Sequence, residues 1–252
     1  MDDRLLGSIM KISRMMVEAG AEIYRVEESV MRMCAAYGVK RTDVYAKTSN
    51  IIVSVEDTDE NVRTHTCRVG QISADIEKAD RLNSLVRRIS ATAPDLREID
   101  GEIEKINRTP EYPYWVRMFF YGFIAGAFCI FFGSRSVAET GAAFVIGVTA
   151  GTMSSALGGL RVNRLLVRFL CSFWASTAAF ICLRTGIIGS ADNVIIGNIM
   201  TLIPGIGLTN SLRDLFTGDS ISGVLRLIEA ILLAVAIACG YVAASYIFGG
   251  AA

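Results

Sequence analysis

The sequence predicts an α-helical integral membrane protein with about five transmembrane helices and an N-terminal cytoplasmic α+β domain. Two observations carry this reading. The first is the distribution of charge. Residues 1–113 hold 17 of the 25 Lys/Arg and 20 of the 25 Asp/Glu, whereas residues 114–252 hold 8 and 5. Ionised side chains are costly in hydrocarbon, so the second composition suits a bilayer and not water. The second is a series of five apolar segments at 114–133, 137–159, 165–183, 192–210 and 224–248. At 1.5 Å per residue, about 20 helical residues cross a ~30 Å hydrocarbon core. The net charge of +0 gives no electrostatic reason to expect a nucleic-acid partner.

Within residues 1–113 the apolar period changes along the chain. Positions 5, 9, 12, 16, 19, 23, 26, 30, 33 and 37 form a stripe with alternating steps of four and three, the seam of an amphipathic helix or helix pair. Gly20 predicts a break near 19–21, and Gly38 a stop. Val44–Lys47, Ile51–Val55 and Val62–Val69 are rich in β-branched residues, and Thr48–Asn50 and the acidic run Glu56–Glu60 separate them. They predict a three-strand meander. Two helices follow. Ile72, Ile76, Ala79, Leu82, Val86 and Ile89 line the first, and Leu96, Ile99, Ile103 and Ile106 the second, with Pro94 between them. Pro110 and Pro113 mark the passage to the membrane part.

Residues 1–20 carry Asp2, Asp3, Arg4, Lys11, Arg14 and Glu18 and no apolar h-region, so no signal peptide is expected. Arg161, Arg164 and Arg168 follow the second apolar segment, and Arg213 and Arg226 lie between the fourth and fifth. The loops at 134–136 and 184–191 carry one arginine each, Arg135 and Arg184. Five spans from a cytoplasmic N-terminus put the arginine-rich loops inside and the C-terminus outside, as the positive-inside rule requires.

Little here looks like an enzyme. The six cysteines, 34, 67, 129, 171, 182 and 239, form no CxxC pair, and His65 is the lone histidine. No metal site, cofactor or nucleophile–base set is therefore expected. The glycines of the membrane part include two GxxxG pairs, Gly122/Gly126 and Gly147/Gly151, together with Gly133, Gly141, Gly158 and Gly159. These suit close helix packing.

The fourth apolar segment is different. Asn193, Asn198, Thr201, Pro204, Gly205, Thr209 and Asn210 interrupt it. Proline removes a backbone N–H and glycine frees the backbone, so the pair predicts a broken helix. A half-helix N-terminus at membrane depth can hold a carboxylate, as in transporters. Thr201, Thr209 and Asn210 would add hydrogen bonds, and Arg213 a fixed positive charge. The alternative is a kink and an interfacial loop. Glu229 lies i,i+3 from Arg226 and could pair with it, either as a buried proton carrier or as an interfacial residue. Glu139 and Asp192 sit at segment ends and read as solvated. In the soluble part, Gly20–Glu28 places Glu22, Arg25 and Glu28 on one face as a charge ladder, with Glu27 in the same stretch; a solvated helix face is the plain alternative.

Three stretches resemble the first half of the threonine/serine exporter family. They are Gly20-Ala-Glu22-Ile-Tyr-Arg25-Val-Glu27, the charged α–β–α domain ending at Tyr112–Trp115, and Pro204-Gly205…Thr209-Asn210…Arg213-Asp214-Leu215. The third continues through Gly218-Asp219…Ser222-Gly223…Arg226…Glu229-Ala230. The resemblance covers nearly the whole chain. Full-length members have a second membrane domain of about five helices, so the resemblance implies a split member completed by a small membrane protein. It implies export of small carboxylates across the bacterial inner membrane, threonine and serine or a dicarboxylate such as succinate, driven by an ion gradient. The substrate and ion pathway would comprise Asn198, Thr201, Pro204, Gly205, Thr209, Asn210, Arg213, Asp214, Arg226 and Glu229. Arg213 would hold the carboxylate, and Glu229 or Asp214 would carry the proton. A scaffold or regulatory protein that homo-oligomerises through its soluble domain is the competing reading.

Overall fold

A computed structural model describes residues 2–56, 62–70, 72–73, 75–110, 112–160 and 162–249. The acidic residues 57–60 and Arg161 lie outside these. The chain divides into two compact units. One is Met1–Pro110 with Ile206–Leu227, and the other is Glu111–Gly205 with Ile228–Ala252.

The first unit opens with α1 (Asp3–Glu18) and α2 (Ile23–Ala36). Every residue of the apolar stripe from Leu5 to Met33 is buried, and Tyr37 packs against the same core. The break at Gly20 is a Schellman turn. Gly20 takes φ 90°, its N–H donates to Val17 O, and Ala21 N–H donates to Met16 O. Gly38 closes α2 in the same way, with φ 74° and bonds to Ala35 O and Cys34 O from Gly38 and Val39. The helix α1 is buried beyond its stripe, at Leu6, Ser8, Met10, Ser13, Met15 and Val17 as well. The two serines are satisfied internally: Ser8 Oγ donates to Asp100 Oδ1 at 2.7 Å and Ser13 Oγ to Ile9 O at 2.8 Å.

The meander forms as an antiparallel sheet in the order β1 (Arg41–Ala46), β2 (Asn50–Glu56), β3 (Val62–Arg68). Along β2, Ile51, Val53 and Val55 alternate inward, and they face Cys67, His65 and Arg63 of β3. The other face is polar, with Ser54 and Thr64 hydroxyls 2.8 Å apart across the strands. The helix α3 (Ile76–Thr92) is capped by Asp75, which accepts from Lys78 N, and buries Leu82, Leu85, Val86 and Ile89. It starts after Ile72, which packs on the core from the preceding loop. The helix α4 (Leu96–Asn107) buries Ile99, Ile103 and Ile106. Each such fully buried aliphatic side chain contributes about 1.5–3 kcal/mol. Burial pushes the Cys34 thiol up to about 11, with a Thr42 hydrogen bond opposing the shift, so this cysteine acts as a core hydrophobe.

The second unit contains α5 (Tyr114–Phe131), α6 (Val137–Gly159), α7 (Arg164–Arg184) and α8 (Asp192–Met200). It also takes most of α10 (Ser220–Ala244), which ends in a π-helical turn at Ser245–Gly249. Among the described residues, four helices are long and apolar enough to cross a membrane: α5, α6, α7 and α10 with its π turn. The count reaches five if α8 and α9 (Gly205–Phe216) form one broken span. The expected segment 192–210 is thus two helices, interrupted at 201–204 beside Pro204.

The GxxxG pairs face each other across α5 and α6. A Cβ added at Gly147 would lie 2.8 Å from Ala125 Cβ and 2.9 Å from Tyr121 O, and one at Gly122 would lie 2.7 Å from Phe144 O. Gly197 of α8 approaches α5 as tightly, 2.6 Å from Ala125 O. By contrast, an added Cβ at Gly141, Gly158 or Gly159 meets nothing within 4 Å, so among the described residues these glycines are not packing contacts. Glu139 is a correction. Expected to be solvated, it is buried, because Ser134 Oγ donates to its Oε2 at 2.6 Å and Ser190 N to its Oε1 at 3.1 Å, joining two loops.

Candidate functional site

The helix α9 and the first turns of α10 belong to the same compact unit as residues 1–110. The compact unit that holds residues 1–110 therefore also takes in the stretch 206–227, which lies outside the expected domain 1–113. The physical reason is polar. This stretch carries Asn210, Arg213, Asp214, Asp219 and Arg226, and each finds a partner among residues 1–110 or within the stretch itself. It is also packed closely: a Cβ on Gly223 would lie 2.9 Å from Leu215 N, so α9 and α10 touch at the backbone.

The receiving element is the corner between α1 and α2. The left-handed turn at Gly20 exposes successive carbonyls. Asn210 Nδ2 donates to Gly20 O at 3.1 Å, and Arg226 Nη2 donates to Ala21 O at 3.2 Å. Glu22, the N-cap of α2, is buried, and its Oε1 accepts from Arg213 Nη1. Its Oε2 faces Arg25 Nε at 3.0 Å. Arg226 Nη1 also meets Asp214 Oδ2 at 3.2 Å, and Asp214 is fully buried. The carboxylates of Glu22 and Asp219 act on Asp214 through space. A second clasp joins the β1–β2 turn to the start of α10, where Lys47 Nζ pairs with Asp219 Oδ1.

The cluster is polar and incompletely satisfied. Among the described residues, Glu22 Oε2, both Asp214 carboxylate oxygens, Asp219 Oδ2, Ser222 Oγ and Arg226 Nε are buried without a hydrogen bond of good geometry. The Asp214–Arg226 contact is therefore mainly electrostatic. Taking two charges out of water costs several kcal/mol per ion, so such a pair is a poor stabiliser. Removing one partner still costs about 3–5 kcal/mol, because it orphans a buried charge.

The expected site residues divide between the two units. Gly20, Glu22, Arg25, Asn210, Arg213, Asp214 and Arg226 assemble in the first. Glu27 is near in sequence but serves the fold, its Oε1 accepting from Ala46 N at 2.9 Å. The charge ladder is only half formed, because Glu28 pairs with Arg32 at 3.0 Å. Thr209 and Gly205 lie on the exposed first turns of α9, just after Pro204. Asn198 and Thr201 belong to the second unit. Asn198 Nδ2 donates to Ala143 O and Val194 O, which fastens α8 to α6, and Thr201 Oγ1 donates to Asn198 O within the C-terminal turn of α8. The expected Arg226–Glu229 pair is corrected. Arg226 turns to Asp214, and Glu229 faces Arg164 Nη1 at 3.5 Å with its side chain 58% exposed. The buried carboxylate outcompetes the exposed one for the guanidinium, since only there does the pair relieve a desolvated charge. Lys47 and Asp219 were not expected in the site, and their 172-residue separation leaves no local signal.

Bilayer-length helices with glycine-mediated contacts, joined to a charged α+β unit, define a polytopic helical membrane protein. The chain belongs to the threonine/serine exporter family: the family model described as "Putative threonine/serine exporter" matches residues 8–248. It is similar to a threonine/serine exporter of Corynebacterium glutamicum, with 22% identity over 91% of this chain and 48% of that protein. It is also similar to a protein of Klebsiella aerogenes named "Probable succinate transporter subunit YjjP", with 24% identity over 93% of this chain and 90% of that one. The chain thus spans about half the length of the first relative and nearly all of the second. No solved structure matches it. The family and both relatives are transporters and not enzymes.

Proposed function

We propose that the chain is one subunit of a proton-driven secondary exporter of small carboxylates, threonine or serine or a dicarboxylate such as succinate. A second, small membrane protein completes it. The observation that carries this reading is the paired arrangement in the first unit, where an accessible arginine, Arg213, lies on the same short helix as a buried carboxylate, Asp214. Arg213, in the last turn of α9, holds the substrate carboxylate, because a guanidinium fork complements that group. Asp214 carries the proton. Its protonation removes the counter-charge of Arg226, and Arg226 also holds the Ala21 carbonyl, so the effect of protonation reaches the α1–α2 corner through one side chain. Glu229, exposed and paired with Arg164, has the weaker case. The name of the Klebsiella relative, a transporter subunit of matching length, supports a partner.

Connectivity supports an orientation with the C-terminus outside the cytoplasm. The chain leaves the first unit at residue 110 and rejoins it at 206. Three crossings by α5, α6 and α7 end on the far side, so the return needs a fourth through α8 and the break. The nine residues of α8 rise only about 14 Å, half of the hydrocarbon core, so irregular backbone around Pro204 completes the crossing against protein. With α10 as the fifth, a cytoplasmic first unit places the C-terminus outside the cytoplasm.

The test is efflux of radiolabelled threonine, serine and succinate from proteoliposomes holding the chain alone, then with the small membrane protein encoded beside it. Flux in the paired sample that an uncoupler abolishes is the expected result. Stable assemblies without flux would favour the scaffold reading instead.

A further inference from the structure

We infer that Glu22 is a resident competitor for the substrate carboxylate, an affinity-setting residue that occupies Arg213 until substrate displaces it. The inference rests on the proposed role of Arg213 as the carboxylate holder. Arg213 already grips a carboxylate, that of Glu22. The two partners differ in exposure: the Glu22 side chain is 10% exposed and that of Arg213 is 53% exposed. A soluble carboxylate therefore reaches the guanidinium from the open side and meets Glu22 in place.

Three features make the exchange feasible. Glu22 has a second cation, since Arg25 Nε lies 3.0 Å from its other oxygen, so losing Arg213 does not leave an uncompensated buried charge. The backbone of the corner is held independently, by Asn210 on Gly20 O and Arg226 on Ala21 O, so the side chain moves without unfolding the turn. The other two acids of the cluster are committed elsewhere, Asp214 to Arg226 and Asp219 to Lys47, and both are nearly buried. Among the described residues, Glu22 alone joins the buried cluster to an accessible cation.

An internal carboxylate that holds the site for part of the time lowers apparent affinity by the fraction of time the site is free. It also speeds release, because Glu22 re-forms its pair as the substrate leaves. Occupancy of the site is thereby transmitted to the N-cap of α2.

The experiment is the concentration dependence of radiolabelled succinate and threonine efflux in proteoliposomes holding the full chain and its small membrane partner. Glu22→Gln keeps shape and removes charge. Its KM is expected to fall roughly threefold or more. A purely structural pair predicts the opposite, a raised KM or a lower rate at unchanged KM, and either outcome overturns the inference. Arg213→Gln is run in parallel. Loss of flux there with an unchanged KM in Glu22→Gln sinks the competitor role alone. Full flux from Arg213→Gln, or none from the unaltered pair, removes the underlying reading as well. If Glu22→Gln does not accumulate in the membrane, Glu22→Asp takes its place. It retains the charge one methylene further from Arg213, and a smaller fall in KM is expected; a KM equal to that of the unaltered chain refutes the proposal.

Discussion

At the scale of single residues, Gly20 does two things that no other residue does as well. It adopts φ 90° to end α1, and its carbonyl receives Asn210. A side chain in that region of backbone space is strained by about 1–2 kcal/mol. Gly20→Ala is therefore expected to lower the melting temperature by about 2–4 °C per kcal/mol lost, for a chain of this size. Gly7 is the control. It lies inside α1, and an added Cβ meets nothing within 4 Å, so Gly7→Ala should be neutral or stabilising by up to about 1 kcal/mol. A thermal-shift measurement on both purified variants checks the contrast. Equal effects would mean that the turn at Gly20 is not as described.

At the scale of elements, the α5–α6 contact is the most constrained in the second unit. Backbone meets backbone at Gly122 and Gly147, and aromatic Tyr121 sits over Gly151. Gly147→Leu forces the helices apart and should reduce the folded, detergent-extractable fraction severely, whereas Gly158→Leu should be tolerated, because its Cβ faces open space. Size-exclusion profiles of the two variants decide this. The same elements show what sequence patterns can carry. The stripe from Leu5 to Met33 is readable because a buried helix face repeats at a fixed period, and the meander because its strands are rich in β-branched residues between a turn and an acidic run. The GxxxG pairs were readable too, but Gly141, Gly158 and Gly159 look identical in sequence and pack against nothing among the described residues. Polar partnerships obey no period. Glu22 and Arg213 are 191 positions apart, and the local i,i+3 rule pointed Arg226 at Glu229 when a buried carboxylate twelve residues earlier held it. Glu139 looked like an exposed first-turn acid, but the loop just before α6 and a loop 51 residues further on supply its donors.

At the scale of the whole molecule, one assignment matters most: residues 206–227 belong to the same compact unit as residues 1–110, so most of all three stretches that carry the family resemblance lies in that unit. Everything proposed for Arg213, Asp214 and Glu22 depends on it. The assignment constrains topology through parity. If α9 lies on the same side as residues 1–110, the chain has crossed the membrane four times before α10 begins, and α10 takes the C-terminus to the other side. If α8 and the break do not cross, α9 is stranded on the far side, the Glu22–Arg213 pair cannot form, and α10 brings the C-terminus back. The measurement that separates these is a pair of reporter fusions at Ala252, one active only outside the cytoplasm and one only inside. The account predicts activity from the outside reporter and none from the inside one. A cytoplasmic C-terminus would contradict it.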